Sequence, residues 1–220
     1  MKTLTTFGKA TLDRTRSGHV YSVYMTAEPT RQRIARAASA LLEAEGAGAV
    51  TMRRVAAAAD ITAMAVYRHY ADRDALLNAL ANEGFEELTK MLDAVRLCGD
   101  FESRVKQVLD TNLDFALGRP RLFDLMFLQA RKGARRFPRD FVAGKSPTGN
   151  RFAELVAEGI GRGVFRRVDV WEVVFETGAL LQGLVMLYLG ERVDATEPEF
   201  RAICHRAMGR YLNGIRKAKR

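Results

Sequence analysis

The sequence predicts an all-α protein: an N-terminal helix-turn-helix domain followed by a larger helical domain. Three observations lead there. From residue 30 onward, apolar residues recur at i, i+3 and i+4 in one segment after another, the period of a helix with one buried face. Thr or Asp stands before several of these segments and Gly or Pro behind them, the residues that start and stop helices. Neither a convincing strand alternation nor an internal repeat is visible.

The elements follow in order. Residues 1–28 are polar and basic, with Lys2, Lys9, Arg14 and Arg16 outnumbering Asp13 and Glu28. They read as a disordered basic tail; a basic arm that reaches DNA is the sharper alternative, and Met25 is a candidate natural start. A first helix runs from Thr30, its expected N-cap, to Glu45, buries Ile34, Ala37, Ala38, Leu41 and Leu42, and stops at Gly46 and Gly48. Thr51 caps a second helix with Val55, Ala56 and Ala59 inward. A turn over Ala59-Asp60-Ile61-Thr62 leads to a third helix, Thr62 to Tyr70. Asp72 caps a fourth, with Asp74 favourable in its first turn; it continues towards Leu97, long enough to join two lobes. Cys98-Gly99-Asp100 breaks it. Further helices cover Phe101–Leu117, Arg121–Gln129, Asn150–Ile160, Asp169–Leu189 and a last one from Pro198. The basic stretch Arg131–Arg139 reads as a solvated, mobile connection, with a site for an anionic ligand such as an acyl-coenzyme A as the alternative.

Composition narrows the function. Hydrophobic residues make up 48% of 220, enough for a sizeable core. The net charge of +9 suggests a polyanionic partner, nucleic acid or an anionic membrane surface. Cys98 and Cys204 stand alone and read as free thiols of a reducing cytoplasm. No apolar leader segment is evident. The run Val173–Leu189 is interrupted by Glu176 and Gln182, so it reads as a buried helix and not a membrane span.

Residues 51–70 meet the demands of a helix-turn-helix. The third helix must be short, because it lies in the major groove with its N-terminal residues at base edges. Eight or nine residues give roughly 12–14 Å, against a groove about 12 Å wide. Small apolar residues, Ala58, Ile61, Ala65 and Val66, suit a steep packing on the second helix. Asp60 tolerates the left-handed conformation of the turn better than most residues. Tyr67-Arg68-His69-Tyr70 offers four side chains able to touch a nucleic-acid backbone or base edge.

These residues resemble the TetR (tetracycline-repressor) family of transcriptional regulators. That family's head has a threonine-capped second helix, a Gly-Val-Ser turn, a helix ending Tyr-x-His-Phe, and a Lys/Arg-Glu/Asp-Ala-Leu helix start. Here stand Thr51, Asp60-Ile61-Thr62, Tyr67-Arg68-His69-Tyr70 and Arg73-Asp74-Ala75-Leu76, a match over about Thr30 to Leu80. Asp60 departs from the usual glycine, Tyr70 from phenylalanine, and Met64 from a small residue. The resemblance implies a DNA-binding domain over 29–75 and an effector-binding and dimerisation domain over 76–220. It also implies that Thr51, Tyr67, His69 and Arg73 hold phosphates, while Thr62, Ala63, Met64 and Arg68 sit nearest base edges. Arg53 and Arg54, flanking the start of the second helix, could reach either. Arg68 can give guanine two hydrogen bonds, whereas Met64 offers only apolar contact, as with a thymine methyl.

The last two helices look built for association. Phe200, Ile203, Cys204, Ala207, Met208, Tyr211, Leu212 and Ile215 form a stripe over four turns, and Gly178, Ala179 and Gly183 permit close approach. Two such helices per subunit would make a four-helix homodimer interface; the alternative is that both pack inside one subunit. The resemblance further implies a small-molecule pocket between the helices over 101–129 and 150–189. Phe115, Phe123, Met126, Phe127, Trp171, Phe175 and Met186 are candidates to line it, with Gln182 as polar anchor, although aromatic and Met residues at helical spacing are more often plain core. The expected partners are operator DNA, a small-molecule effector and a second copy of the chain, with no membrane.

An enzyme, or a helical small-molecule-binding protein without DNA binding, is the competing class. His19, His69 and His205 fall in the tail, the motif and the last helix, so they do not converge. Glu154 and Glu158 lie one turn apart without a histidine to complete a metal site. No phosphate-binding glycine loop is present, and the sequence indicates no cofactor.

Overall fold

A computed structural model of the chain describes residues 28–218. The predicted tail, with His19 and Met25, lies outside the described residues except for Glu28, whose carboxylate pairs with Arg36.

The head is built from α1 (Thr30–Glu45), α2 (Met52–Ala58) and α3 (Ala63–Tyr67). Pro29, and not Thr30, holds the cap position of α1; its carbonyl accepts from Gln32 and Arg33, so the backbone alone closes the first turn. α1 buries Ile34, Ala37, Ala38 and Leu42, and α2 buries Met52, Val55 and Ala56. A 3-10 turn, Ala47–Ala49, joins them. Ala58 is exposed, contrary to the expected inward face; Ala59, Val66 and the half-buried Ile61 and Ala65 fill the angle between α2 and α3 instead.

α4 (Arg73–Ala94) is capped by Asp72, whose carboxylate accepts from Ala75 N–H at 2.7 Å. Its 22 residues span about 33 Å at 1.5 Å per residue. The helix ends at Ala94, three residues short of Leu97, and Val95 leaves it in extended conformation. α5 (Phe101–Gly118), capped by Asp100, turns at Arg119 into α6 (Pro120–Phe123), which continues as a π-helical turn, Asp124–Leu128.

The connection after it is not simply a solvated loop. It contains α7 (Arg139–Val142), and three of its side chains are held. Arg131 donates to the carbonyls of Leu125 and Met126 and to Asn78 Oδ1 on α4, at 2.9 Å for the last. Arg135 lies over the Phe85 ring, and Phe137 stacks on Phe175 at 4.3 Å between centroids. α8 (Pro147–Gly161), α9 (Val170–Leu189) and α10 (Glu197–Gly214) complete the larger lobe. Among the described residues the sole β-type pairing is an isolated antiparallel bridge, Phe165 with Arg216. Polar ties fasten α5 to its neighbours: Arg104 grips Glu158 of α8 with two hydrogen bonds at 2.7 Å, and Arg201 and His205 of α10 reach Asp114 and Asp110.

α4 joins head to lobe through one close approach. A Cβ at Gly84 would stand 2.5 Å from Met126 Sδ and 3.1 Å from Leu122. Arg119 locks the same corner by pairing with Glu43 of α1 and Glu87 of α4, both at 2.7 Å. Burial works against its charge, but the two carboxylates hold its pKa above the ordinary arginine value.

Replacing Gly84 by leucine should therefore destabilise the protein by about 1–3 kcal/mol through overpacking, more than the ~1 kcal/mol of helix propensity that losing a glycine returns. A urea midpoint equal to or above wild type would show that α4 is not seated this way.

Candidate nucleic-acid interface and effector cavity

Two hydroxyls set the geometry of the head. Thr51 Oγ1 accepts from Arg54 N–H at 3.3 Å and starts α2; Thr62 Oγ1 accepts from Ala65 N–H at 3.2 Å and starts α3. Each satisfies one of the N–H groups that a helix start leaves without a partner. Between them Asp60 takes φ 52°, the left-handed conformation expected of the turn. Arg33 of α1 donates to the carbonyls of Ala59 and Asp60 and clasps the turn from behind. Sequence reading missed it, since a lone arginine on a helix face carries no sign of a partner 26 residues away.

α3 is shorter than expected. Five residues are α-helical, and Arg68 and His69 continue as a turn closed by Arg68 N–H on Met64 and His69 N–H on Val66. Its outward face carries Met64 at 66% and Tyr67 at 49% exposure, with Thr62, Arg68 and His69 exposed and Ala63 half-buried. Arg53 is exposed at the start of α2. Apart from the Thr62 hydroxyl, which caps α3, the polar side chains among them have no hydrogen-bond partner among the described residues, which suits groove contact.

Three expected contacts are otherwise occupied. Tyr70 is buried at 5% exposure beneath Arg31, and its hydroxyl has no hydrogen-bond partner among the described residues. Arg54 is engaged by Glu45, its guanidinium making two hydrogen bonds to that carboxylate; the pair holds the Glu45 carboxyl below its ordinary value. Arg73, expected at a phosphate, is half-buried and donates from Nε to Val50 O at 2.8 Å and from Nη2 to Ala47 O at 2.6 Å. It anchors the start of α4 to the connection between α1 and α2.

In the larger lobe a cavity of about 320 Å³ opens between α4, α5, the π-helical turn, the 129–149 connection, α8 and α9. Phe123, Met126, Phe127, Phe175 and Gln182 line it as expected. Phe115 does not: it is core, 1% exposed. Trp171 stands edge-on to Phe141 outside the wall, and Met186 lies on the outer surface of α9 at 52% exposure. Helical periodicity marks apolar positions without saying which of two buried sides they face. The lining also holds Phe85, Asn112, Arg131, Arg135 and Phe137, from α4, α5 and the connection that was expected to be mobile.

α9 departs from the reading of Val173–Leu189 as a buried helix. By length and apolarity it could cross a membrane, yet only 22% of its most apolar window is buried in the chain. Val173, Val174, Thr177 and Val185 face inward, while Phe175, Met186, Leu187 and Leu189 are exposed. Tyr211 of α10 donates to Glu176 at its edge. Glu154 and Glu158, weighed as a metal pair, are engaged by Arg151 and Arg104.

Comparison with known proteins agrees with this geometry. Residues 34–80 match the family model described as bacterial regulatory proteins, tetR family. A protein of unknown function from Rhodococcus sp. RHA1 superposes with a TM-score of 0.73 at 23% identity, covering 89% of this chain and 100% of its own. A bacterial regulatory protein in the tetR family from Rhodococcus RHA1 gives 0.63 at 20% identity, over 87% and 100%. The fatty acid degradation regulator FadR from Bacillus halodurans gives 0.62 at 17%, over 84% and 100%. At these identities the likeness is one of fold. No curated protein matches the chain.

Because Arg73 is spent on backbone carbonyls, Arg73→Ala should cost about 1–3 kcal/mol of stability. Arg53→Ala and Arg68→Ala, on the open surface, should stay within about 0.5 kcal/mol of wild type. Equal denaturation midpoints for all three variants would return Arg73 to the role of a phosphate contact.

Proposed function

We propose that this chain, whose residues 34–80 match the model of the tetR family of bacterial regulatory proteins, is a homodimeric repressor in the cytoplasm, released from operator DNA by a small-molecule effector. The observation that carries the reading is the exposed face of α3, with Met64, Tyr67, Arg68 and His69 turned outward from two threonine-capped helices. α3 enters the major groove. Thr62, Ala63, Met64 and Arg68 approach base edges, and Thr51, Arg53, Tyr67 and His69 meet phosphates on either side. A two-fold axis sets a second α3 one helical turn away, roughly 34 Å along the duplex.

The dimer forms through α9 and α10. The exposed Met186, Leu187 and Leu189, three large apolar side chains near the end of α9, support this, because clustered apolar side chains left to water mark a surface for a partner. Small residues Ala179 and Gly183 on the same helix let a partner helix approach.

Effector release is a population shift. The dimer exists with different spacings of its heads, and a ligand moves the balance by the difference of its affinities for them. α4 is the lever. Phe85 of α4 lines the cavity, Asn78 accepts from the cavity residue Arg131, and Glu87 shares Arg119 with α1 of the head. A change in the cavity wall thus reaches the seat of the head through side chains already in contact.

Two outcomes are expected. Operator fragments selected from genomic DNA should bind wild type tightly. Arg68→Ala should lose about 1–3 kcal/mol of discrimination at one base position, while Tyr67→Phe should weaken binding to operator and random duplex alike. Unchanged gel shifts for both variants would defeat the assignment of α3. Second, light scattering at micromolar concentration should give a dimer, and Met186→Glu, by burying a charge at the interface, should shift it to monomer. A wild-type monomer would refute the α9–α10 interface.

A further inference from the structure

The cavity carries more information than its apolar walls. Seven phenylalanines line it (Phe85, Phe123, Phe127, Phe137, Phe141, Phe152 and Phe175), and among the described lining residues the only charged ones are Arg131 and Arg135. Neither guanidinium makes an ion pair among the described residues. Arg131 is held by the neutral acceptors Asn78, Leu125 and Met126, and Arg135 rests on the face of Phe85 at 4.2 Å and makes no hydrogen bond among them. The nearby carboxylates are committed elsewhere: Asp124 accepts from Gln129, and Asp140 from the Arg136 N–H, with Arg139 and Lys145 beside it. Two cations therefore stand in the wall of an apolar cavity with no carboxylate hydrogen-bonded or ion-paired to either among the described residues; the charge of Asp140 favours Arg135 only from beyond contact. Partial burial lowers the pKa of both; the charge of Arg135 adds to the effect at Arg131, while that of Asp140 works against it at Arg135. A charge drawn partly out of water gains from a partner of opposite sign. Arginine in particular pairs carboxylates through two parallel hydrogen bonds.

We infer that the ligand of this cavity is an amphipathic carboxylate, an alkyl or arylalkyl acid whose apolar body lies among the phenylalanines and whose carboxylate is taken by Arg135, with Arg131 beside it. The inference rests on the reading of the cavity as an effector site. It deepens that reading by giving the effector a charge and a shape. Arg135 is the contact residue because its donors are unengaged; Arg131 is fixed by three acceptors and contributes field more than new hydrogen bonds. Asn112, Gln129 and Gln182 supply further polar contacts within the same wall.

A charge series tests it on the full-length protein. Isothermal titration calorimetry with decanoate and 4-phenylbutyrate is compared with decanol and decylammonium, which keep the apolar body and change only the head. Both acids are expected to bind, decanol at least about ten-fold more weakly than decanoate, and decylammonium not at all. Arg135→Gln should reduce decanoate affinity about ten-fold or more and decanol affinity less than two-fold; Arg135→Lys should recover part of the loss. Decanol binding as tightly as decanoate, preference for decylammonium, or no binding by either acid would overturn the assignment. Because the series on wild type decides the charge alone, a poorly folding Arg135→Gln leaves the test intact. Operator affinity measured with saturating decanoate separates the two readings: acid binding with unchanged operator affinity keeps the ligand class and removes its role as effector.

Discussion

The seat of α4 against the corner between α5 and α6 is the constraint on which the rest of the molecule depends. Without a side chain at Gly84 the helix comes close enough for Met126 and Leu122 to fill the groove, and that approach sets where Asn78, Phe85 and Glu87 fall along it. One helix thereby carries a wall of the cavity, a hydrogen bond to Arg131 and a carboxylate shared with the head. The ion pairs of Arg119 are partly exposed, so they contribute direction more than stability. The apolar contact supplies the energy, and the charges fix the rotation and register of the helix that makes it.

Much of this was legible from the residues. Thr51, Asp72 and Asp169 start helices where expected, and Asp60 takes the left-handed turn, because capping and backbone preference are local chemistry and need no knowledge of the fold. The exposed face of α3 followed from spacing and resemblance together. What the sequence did not disclose lies at long range. Arg33 and Arg73 both read as surface cations, yet their donors end on carbonyls 23 to 27 residues away. The same holds for the 131–142 stretch: its charges suggested solvent, while Phe137, Phe141 and two arginines fasten it to the lobe. Phe115 and Met186 show the matching limit for apolar residues, since one lies in the core and the other on the outside.

α9 shows how an apolar helix can satisfy two descriptions at once. Its composition would suit a bilayer, but a stripe of four inward residues and an edge contact to Tyr211 tie it to one lobe. The remaining apolar surface is the one that the proposed dimer would cover, and the small residues among its bulky ones suit that reading. Bundling with α10 is also what would hold two heads at a fixed distance.

Arg33 has one more implication. By clasping the turn after Ala59 it makes α1, α2 and α3 move as one block, and Arg73 extends the block to the start of α4. A signal arriving along α4 can tilt or translate that block, but it has no joint inside it through which to rotate α3 against α2. Induction would then alter how often a site is occupied and leave untouched which bases are preferred. On that reading the choice of bases belongs to the head alone, and the lobe sets only how often the head is seated.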